Sequence, residues 1–549
     1  MTNDHPDHLA RLASPEALQR LGALGLGWSR FDASACAALR FLREADDPPV
    51  VAGLIGGASS GKSTIFNSLI EANVSRVSAH AHETLGAVAA IHSELKSRLD
   101  EWRERRLILP SLAMHWLDNS QSVEGKPDEL FVRAHDRSAL SDVILIDLPD
   151  VTSAMARDEG AVARAFLPWL DAVLVVVDEE RWFDAAVFED VATSARALGP
   201  RLAVVFNQTE SGEPLDEQFE RLSEIATRHG ADDHFASPHI IGSGYRPIEA
   251  ATADRIRTWV SKPRRRDRES QMARYVAGRA GAVLAENVAR SEAHAKLCRQ
   301  VDQYIATAAD DARLTYDLLT RDERRLLGLG RKYVPMYDAL TGLYARFNRS
   351  RSSAADVDFD KRGADLSQTL AANFQHRIGA AANHIDNLVA DSRYVGDATG
   401  NDANWHSDWP SPEFDAAGWS NRIRAHIDAW KDESARNTRR TDAFGLMLVP
   451  PLLVADLLFL GGAGMTVWSA AAAGITGLLG GKTAAAVAQK SPAFAAYQTT
   501  VRSYQAFVRE TLANLWRQNR DAMPRRHLEV SDPIVTALMN VSTPSRDRS

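Results

Sequence analysis

Val50-Val51-Ala52-Gly53-Leu54-Ile55-Gly56-Gly57-Ala58-Ser59-Ser60-Gly61-Lys62-Ser63-Thr64 decides how this chain is read. An apolar run passes directly into Gly56-x-x-x-x-Gly61-Lys62-Ser63 and then into the helical pattern Ile65-Phe66-Asn67-Ser68-Leu69-Ile70. Strand, glycine loop and helix in that order are what a phosphate-binding loop requires. N–H groups at a helix start form an anion-binding concavity, and glycines let the backbone come close to the phosphates. Lys62 is expected to reach the β- and γ-phosphates of a nucleoside triphosphate, and the Ser63 hydroxyl to ligate Mg2+. A chance Gly/Ser turn would not carry the flanking strand and helix patterns.

Outward from that loop, residues 49–260 alternate strand-like runs with helical patterns, the signature of a parallel sheet wrapped by helices. The runs after the loop are 85–91, 129–134, 143–146, 172–177, 202–206 and 239–241, and the last four are rich in Val, Ile and Leu, as strands covered on both faces should be. Helical patterns fall near 158–169, 184–198, 215–229 and 247–260. Residues 95–119 read as a peripheral charged helix pair. The expected fold is an α/β P-loop NTPase, a doubly wound and mostly parallel sheet, joined to a large all-α helical bundle.

The chain has 549 residues, too many for one core, and 25% of them are charged, so folded multidomain protein is expected. With 64 Lys+Arg against 72 Asp+Glu the formal charge is −8, which argues against nucleic acid as the main partner. Cys36 and Cys298 are the only cysteines, so neither a disulfide framework nor a cysteine metal site is available. The polar, acidic start lacks the basic-plus-apolar pattern of a signal peptide, and a cytoplasmic protein peripherally attached to a membrane is expected.

The segments divide as follows. Residues 1–48 read as helices packing on the bundle, 49–262 as the nucleotide domain and 263–442 as a helical stalk with coiled-coil character. Residues 482–522 read as a return helix and 523–549 as a polar tail. Lys262 to Arg268 is a basic run read as a solvated linker, with contact to anionic lipid as the alternative. Residues 443–481 hold a single charge, Asp456, with Pro450-Pro451 and a bend-forming Gly461-Gly462-Ala463-Gly464. Three readings stay open for this segment: a hairpin dipping into one leaflet, which fits best, a buried hairpin of the bundle, or a true span inserted in the inner membrane.

Two strand ends say more about the chemistry. Val143-Ile144-Leu145-Ile146-Asp147-Leu148-Pro149-Asp150 puts Asp147 where a carboxylate would hold Mg2+ through water. Ala203-Val204-Val205-Phe206-Asn207-Gln208-Thr209-Glu210 puts Asn207 and Glu210 at the end of another buried strand. With these in order after the Gly-x-x-Ser-Ser-Gly-Lys-Ser loop, the chain resembles a TRAFAC-class GTPase, and more narrowly a bacterial dynamin-like GTPase. By motif the resemblance covers residues 50–260. Beyond them it is architectural: helices ahead of the domain, a stalk after it and an apolar paddle-like hairpin.

That resemblance implies phosphate contacts from Gly56, Gly57, Ala58, Ser59, Ser60, Gly61, Lys62, Ser63 and Thr64. It implies Mg2+ at Ser63, a switch threonine at Thr84 that also touches the metal, and γ-phosphate sensing near Asp147. It implies guanine reading by Asn207, Gln208 and Glu210, a base-side loop at Ser243 and Gly244, and a monovalent cation assisted by Ser59. GTP and GDP are the implied ligands, with membrane lipid and a second copy docking through the nucleotide domain as partners. Four positions depart from the family. Asp150 replaces a glycine whose N–H would meet the γ-phosphate, Gln208 and Glu210 replace Lys and Asp, and Ala58 replaces a water-orienting glutamine. The function expected is slow GTP hydrolysis controlling self-assembly on, or remodelling of, a membrane. A soluble regulatory GTPase and a nucleotide-binding scaffold with little hydrolysis remain as alternatives.

Overall fold

The computed structural model describes residues 5–57, 59–75, 86–110, 112–118, 129–149, 165–178, 185–209, 216–240, 246–262, 265–308, 359–392, 409–419, 421, 422, 425, 492–523 and 525–543. They fall into two compact units, Met1–Ser291 with Arg525–Ser549, and Glu292–Pro524.

The first unit is built on an eight-stranded sheet. Its strands are β1 (Val50–Gly56), β2 (Ala87–His92), β3 (Ala113–Trp116), β4 (Glu129–His135), β5 (Val143–Asp147), β6 (Ala172–Val177), β7 (Arg201–Thr209) and β8 (Asp233–Ile240), in the order β3-β4-β2-β5-β1-β6-β7-β8. Every pairing is parallel except β2 with β5. Side chains alternate between two cores, as the period of two along a strand demands. Val51, Ile144, Val173 and Val204 enter one core. Ala52, Leu145, Leu174 and Val205 enter the other, against α4 (Lys62–Ile70) and α8 (Ala250–Val260), which supply Phe66, Leu69, Ile256 and Trp259. Burial on both faces is why these strands read as unbroken apolar runs.

Helices α1 (His5–Leu12), α2 (Pro15–Ala23) and α3 (Arg30–Glu44) were expected on the helical bundle, yet they close the first core of the sheet domain. Ser29 and Asp32 form a capping box at the start of α3, whose buried Phe41 meets Trp102 of α5 (Lys96–Glu104) edge-on at 5.4 Å. The expected helix pair at 95–119 is α5 followed by the edge strand β3. The last strand lies earlier than expected, over Asp233–Ile240, and residue 241 is outside the described residues. Among the described residues the remaining sheet-side helices are α6 (Ala185–Leu198) and α7 (Asp216–Arg228).

The expected solvated linker begins a long helix, α9 (Arg265–Ala308). Arg268 is 3% exposed and pairs with the buried Asp171 carboxylate, and it also donates to the Pro168 carbonyl at 2.6 Å. Further along α9, Arg279 Nε donates to Asp32 Oδ1 at 2.9 Å, and Tyr275 donates to the same oxygen at 2.8 Å. Burial alone would raise the Asp32 pKa. The bonds from Arg279, Ser29 and Tyr275 outweigh it and hold the carboxyl below its ordinary value.

The expected polar tail contains α12 (Pro533–Ser542), capped by the Asp532 side chain and buried through Ile534, Val535, Ala537 and Leu538. It packs on α1.

In the second unit, residues of α9 from Glu292 onward, α10 (Phe359–Ala390) and α11 (Pro492–Ala522) share a core of Leu297, Val301, Phe374, Ile385, Leu512 and Trp516. Phe414, from the segment that breaks the helical pattern, stacks on Phe374 at 4.5 Å. Residues 443–481 lie outside the described residues.

Candidate functional site

Strands β1, β5, β6, β7 and β8 run in one direction, so the carboxyl ends of β1, β5 and β7 meet at one edge of the sheet. Ligands of open α/β sheets bind at that edge. β1 turns there into Gly57 and then α4, whose N-cap Gly61 has φ +88°, a left-handed conformation that favours glycine. Ser59 is also left-handed, at φ +60°. Lys62 is buried and folds back over the loop, donating to the Gly57 carbonyl at 2.8 Å and the Gly56 carbonyl at 3.2 Å. This holds its ammonium above the loop backbone, where a phosphate chain would lie.

Asp147 ends β5, paired in register with Leu54 of β1, and is fully buried. Ser63 Oγ donates to Asp147 Oδ2 at 2.6 Å. A hydroxyl and a carboxylate, oxygen donors side by side, are the chemistry a hard divalent cation selects, so the pair fits Mg2+. Among the described residues no cluster of three or more His, Cys, Asp or Glu side chains offers another metal site.

Asn207 is 1% exposed, and its amide nitrogen donates to the Ser60 carbonyl at 2.9 Å, tying the end of β7 to the loop. The β7–β8 register shifts between Asn207 and Thr209, and Gln208 at that shift has φ +55°. The amide groups of Asn207 and Gln208 both lie over Gly61, so close that a Cβ there would run into Asn207.

The family model described as 50S ribosome-binding GTPase matches residues 51–208. This chain carries a P-loop GTPase domain. No curated protein matches. Among solved structures, Aquifex aeolicus Era bound to GDP·AlF4− is 17% identical with a TM-score of 0.23, covering 35% of this chain and 51% of that one. Era in complex with MgGDPNP and a segment of 16S ribosomal RNA is 18% identical with a TM-score of 0.23 and the same coverage. The chain thus spans about half the length of these Era chains. A member of an oligomerised bacterial dynamin pair, described as sensing and tethering membranes, is 11% identical with a TM-score of 0.35, covering 98% of this chain and 95% of that one.

Within the GTPase domain the structure brings together Gly56, Gly57, Ser60, Gly61, Lys62, Ser63, Asp147, Asn207 and Gln208, and Ser59 and Thr64 lie in the same loop and helix start. Ala58, Thr84, Asp150, Glu210, Ser243 and Gly244 lie outside the described residues. Three neighbours went unread in the sequence. Asn67, on α4, accepts from the N–H groups of Val74 and Ser75 at 2.9 Å each and donates to the Ser75 carbonyl at 2.7 Å. Ser75, so placed, donates its hydroxyl to Asp147 Oδ2 at 2.7 Å. His239 on β8 sits 2.8 Å from Asn207 Oδ1. A polar Asn67 among the apolar residues of α4 was the one available signal, since a buried polar side chain needs partners.

Proposed function

We propose that this protein binds GTP and GDP, hydrolyses GTP slowly and uses its nucleotide state to control self-assembly on, or remodelling of, a membrane, in the manner of dynamin-like GTPases. The observation that carries the nucleotide part is the meeting of Lys62, the Ser63–Asp147 pair and Asn207 at the ends of β1, β5 and β7. Loop N–H groups and the start of α4 bind the phosphates, and Lys62 supplies positive charge beside the terminal two. Ser63 and Asp147 hold Mg2+, with Thr84 as a further ligand. When bound there, Mg2+ would supply charge neutralisation to the phosphates. Asn207 and Glu210 read guanine, Gln208 covers Gly61, and Ser243 and Gly244 close the base side.

No side chain at Ala58 orients the attacking water, so turnover stays slow until a second protomer docks on the GTPase domain, with a monovalent cation beside Ser59 as the charge it brings. Membrane contact falls to residues 443–481, acting from the cytoplasmic side, and is supported by their near-chargeless composition. Among the described residues no helix is long and apolar enough to cross a membrane. Flotation with liposomes, with and without a non-hydrolysable GTP analogue, tests this. The full chain should float and a chain lacking 443–481 should not, while both bind labelled GTP. A full-length protein that stays at the bottom in every nucleotide state overturns the membrane part.

A further inference from the structure

His239 lies on β8, across the β7–β8 pairing from the end of β7, and its Nδ1 is 2.8 Å from Asn207 Oδ1. The amide of Asn207 is not free to choose its orientation. Its nitrogen donates to the Ser60 carbonyl, an acceptor only, so its oxygen must be the atom that faces His239. The hydrogen of that contact therefore sits on His239 Nδ1. The same Nδ1 lies 3.2 Å from the Ser237 carbonyl, and Nε2 lies 2.9 Å from the Arg246 carbonyl, in the segment that follows the predicted base-side loop. Three oxygens around the base-reading end of β7 thus face the His239 ring, and its Nδ1–H goes to the nearest of those on that side, Asn207 Oδ1.

We propose that His239 is a positioning residue for guanine recognition. By holding Asn207 Oδ1 it fixes the plane of the amide that ties the nucleotide loop to the base-reading strand. Asn207 is nearly inaccessible, so a swing of its amide would strand a buried donor or acceptor, and the histidine is what prevents that swing. The inference rests on Asn207 serving guanine recognition as proposed above.

The test compares the full-length protein with His239→Leu and His239→Asn by titrating fluorescent GDP and ADP into each. Asparagine can place a donor near the position of Nδ1 without the reach to Arg246, whereas leucine supplies no donor. Leucine should weaken GDP binding about tenfold or more while changing ADP binding little, collapsing the GDP-to-ADP preference, and asparagine should restore most of that preference. Equal losses for both nucleotides with the preference unchanged would show that His239 is only part of the scaffold and overturn the inference. A leucine variant that keeps wild-type affinity and preference would overturn it too. Wild-type protein that binds GDP and ADP equally would sink the guanine reading itself, and this inference with it.

Discussion

Ser75 Oγ and Asp147 Oδ2 lie 2.7 Å apart with both residues wholly buried, and the same carboxylate oxygen also takes the hydroxyl of Ser63 at 2.6 Å. Ser63 is the group that must turn toward a metal, so Ser75 is a donor that can go on holding the carboxylate in place. Ser75→Ala should raise the magnesium concentration needed for half-maximal GTP turnover several-fold, while Ser75→Thr keeps it. Removing a hydrogen bond to a buried carboxylate should also cost about 1.5–3 kcal/mol of stability. Magnesium titrations that superimpose on wild type would remove Ser75 from this role.

Lys62 folds over the Gly56 and Gly57 carbonyls and is the only cationic side chain of the loop. Lys62→Ala should lower affinity for labelled GTP about a hundredfold or more, the scale of losing charge-assisted bonds to phosphate. Unchanged affinity would mean that the loop does not bind phosphate.

Gly61 combines a left-handed backbone with the amide of Asn207 directly above it. Gly61→Ala should therefore displace Asn207 as well as strain the loop. The variant is expected to unfold at lower temperature and to lose GTP binding, both readable by thermal melts with and without GDP. A melt that still shifts upward with GDP as in wild type would show that the loop accommodates a side chain.

The Arg268–Asp171 pair is buried on both sides, and Asp171 Oδ2 also accepts from the Val51 N–H at 2.8 Å. Leaving either charge without its partner should cost about 3–5 kcal/mol. Arg268→Ala and Asp171→Ala should each lower the denaturation midpoint strongly, and the double variant should lose less than the sum of the two. Additive losses would mean the pair is not coupled.

His135 faces His92 across the β2–β4 pairing at 5.8 Å and accepts the Arg137 N–H at 3.1 Å on Nδ1. Burial, with the neighbouring His92 adding to it, pushes its pKa down from 6.5 to about 4. Between those values the unfolded chain binds a proton that the folded one refuses. Its contribution to stability is thus complete above about pH 6.5 and is lost as the pH falls toward 4. Denaturant melts from pH 7 to 4.5 should show that decline, and His135→Phe should flatten it.

The strands of the GTPase domain are legible because Val, Ile and Leu fill both faces of the sheet, and the phosphate loop because its glycines and lysine stand at fixed spacing. β3 is short and sits at the sheet edge, where Ala113 and His115 are exposed, so its sequence Ala113-Met114-His115-Trp116 carries little strand signal. Arg268 reads as one more charge in a basic run, because the carboxylate it meets lies 97 residues back in the chain. Ser75 and His239 are ordinary letters until the fold brings Asp147 and Asn207 to them. The helix at Pro533–Ser542 was the avoidable miss. Asp532-Pro533 is a helix-start signal, and Ile534, Val535 and Leu538 share one helical face.

The packing of α12 on α1 has a consequence for how the protein is made. Arg20 meets Asp532, 512 residues later in the chain, and Asn287 holds both the N–H and the carbonyl of Leu528. At roughly 5–20 residues per second the ribosome delivers α12 about half a minute to two minutes after α1. Throughout that interval the apolar face of α1, joined about halfway by the early part of α9, waits for a cover that has not yet been synthesised. The sheet can fold and meet nucleotide long before its own domain is sealed. Such a nascent chain is a natural client for chaperones, and a premature stop between α9 and residue 528 would leave a sticky surface on an otherwise assembled GTPase domain.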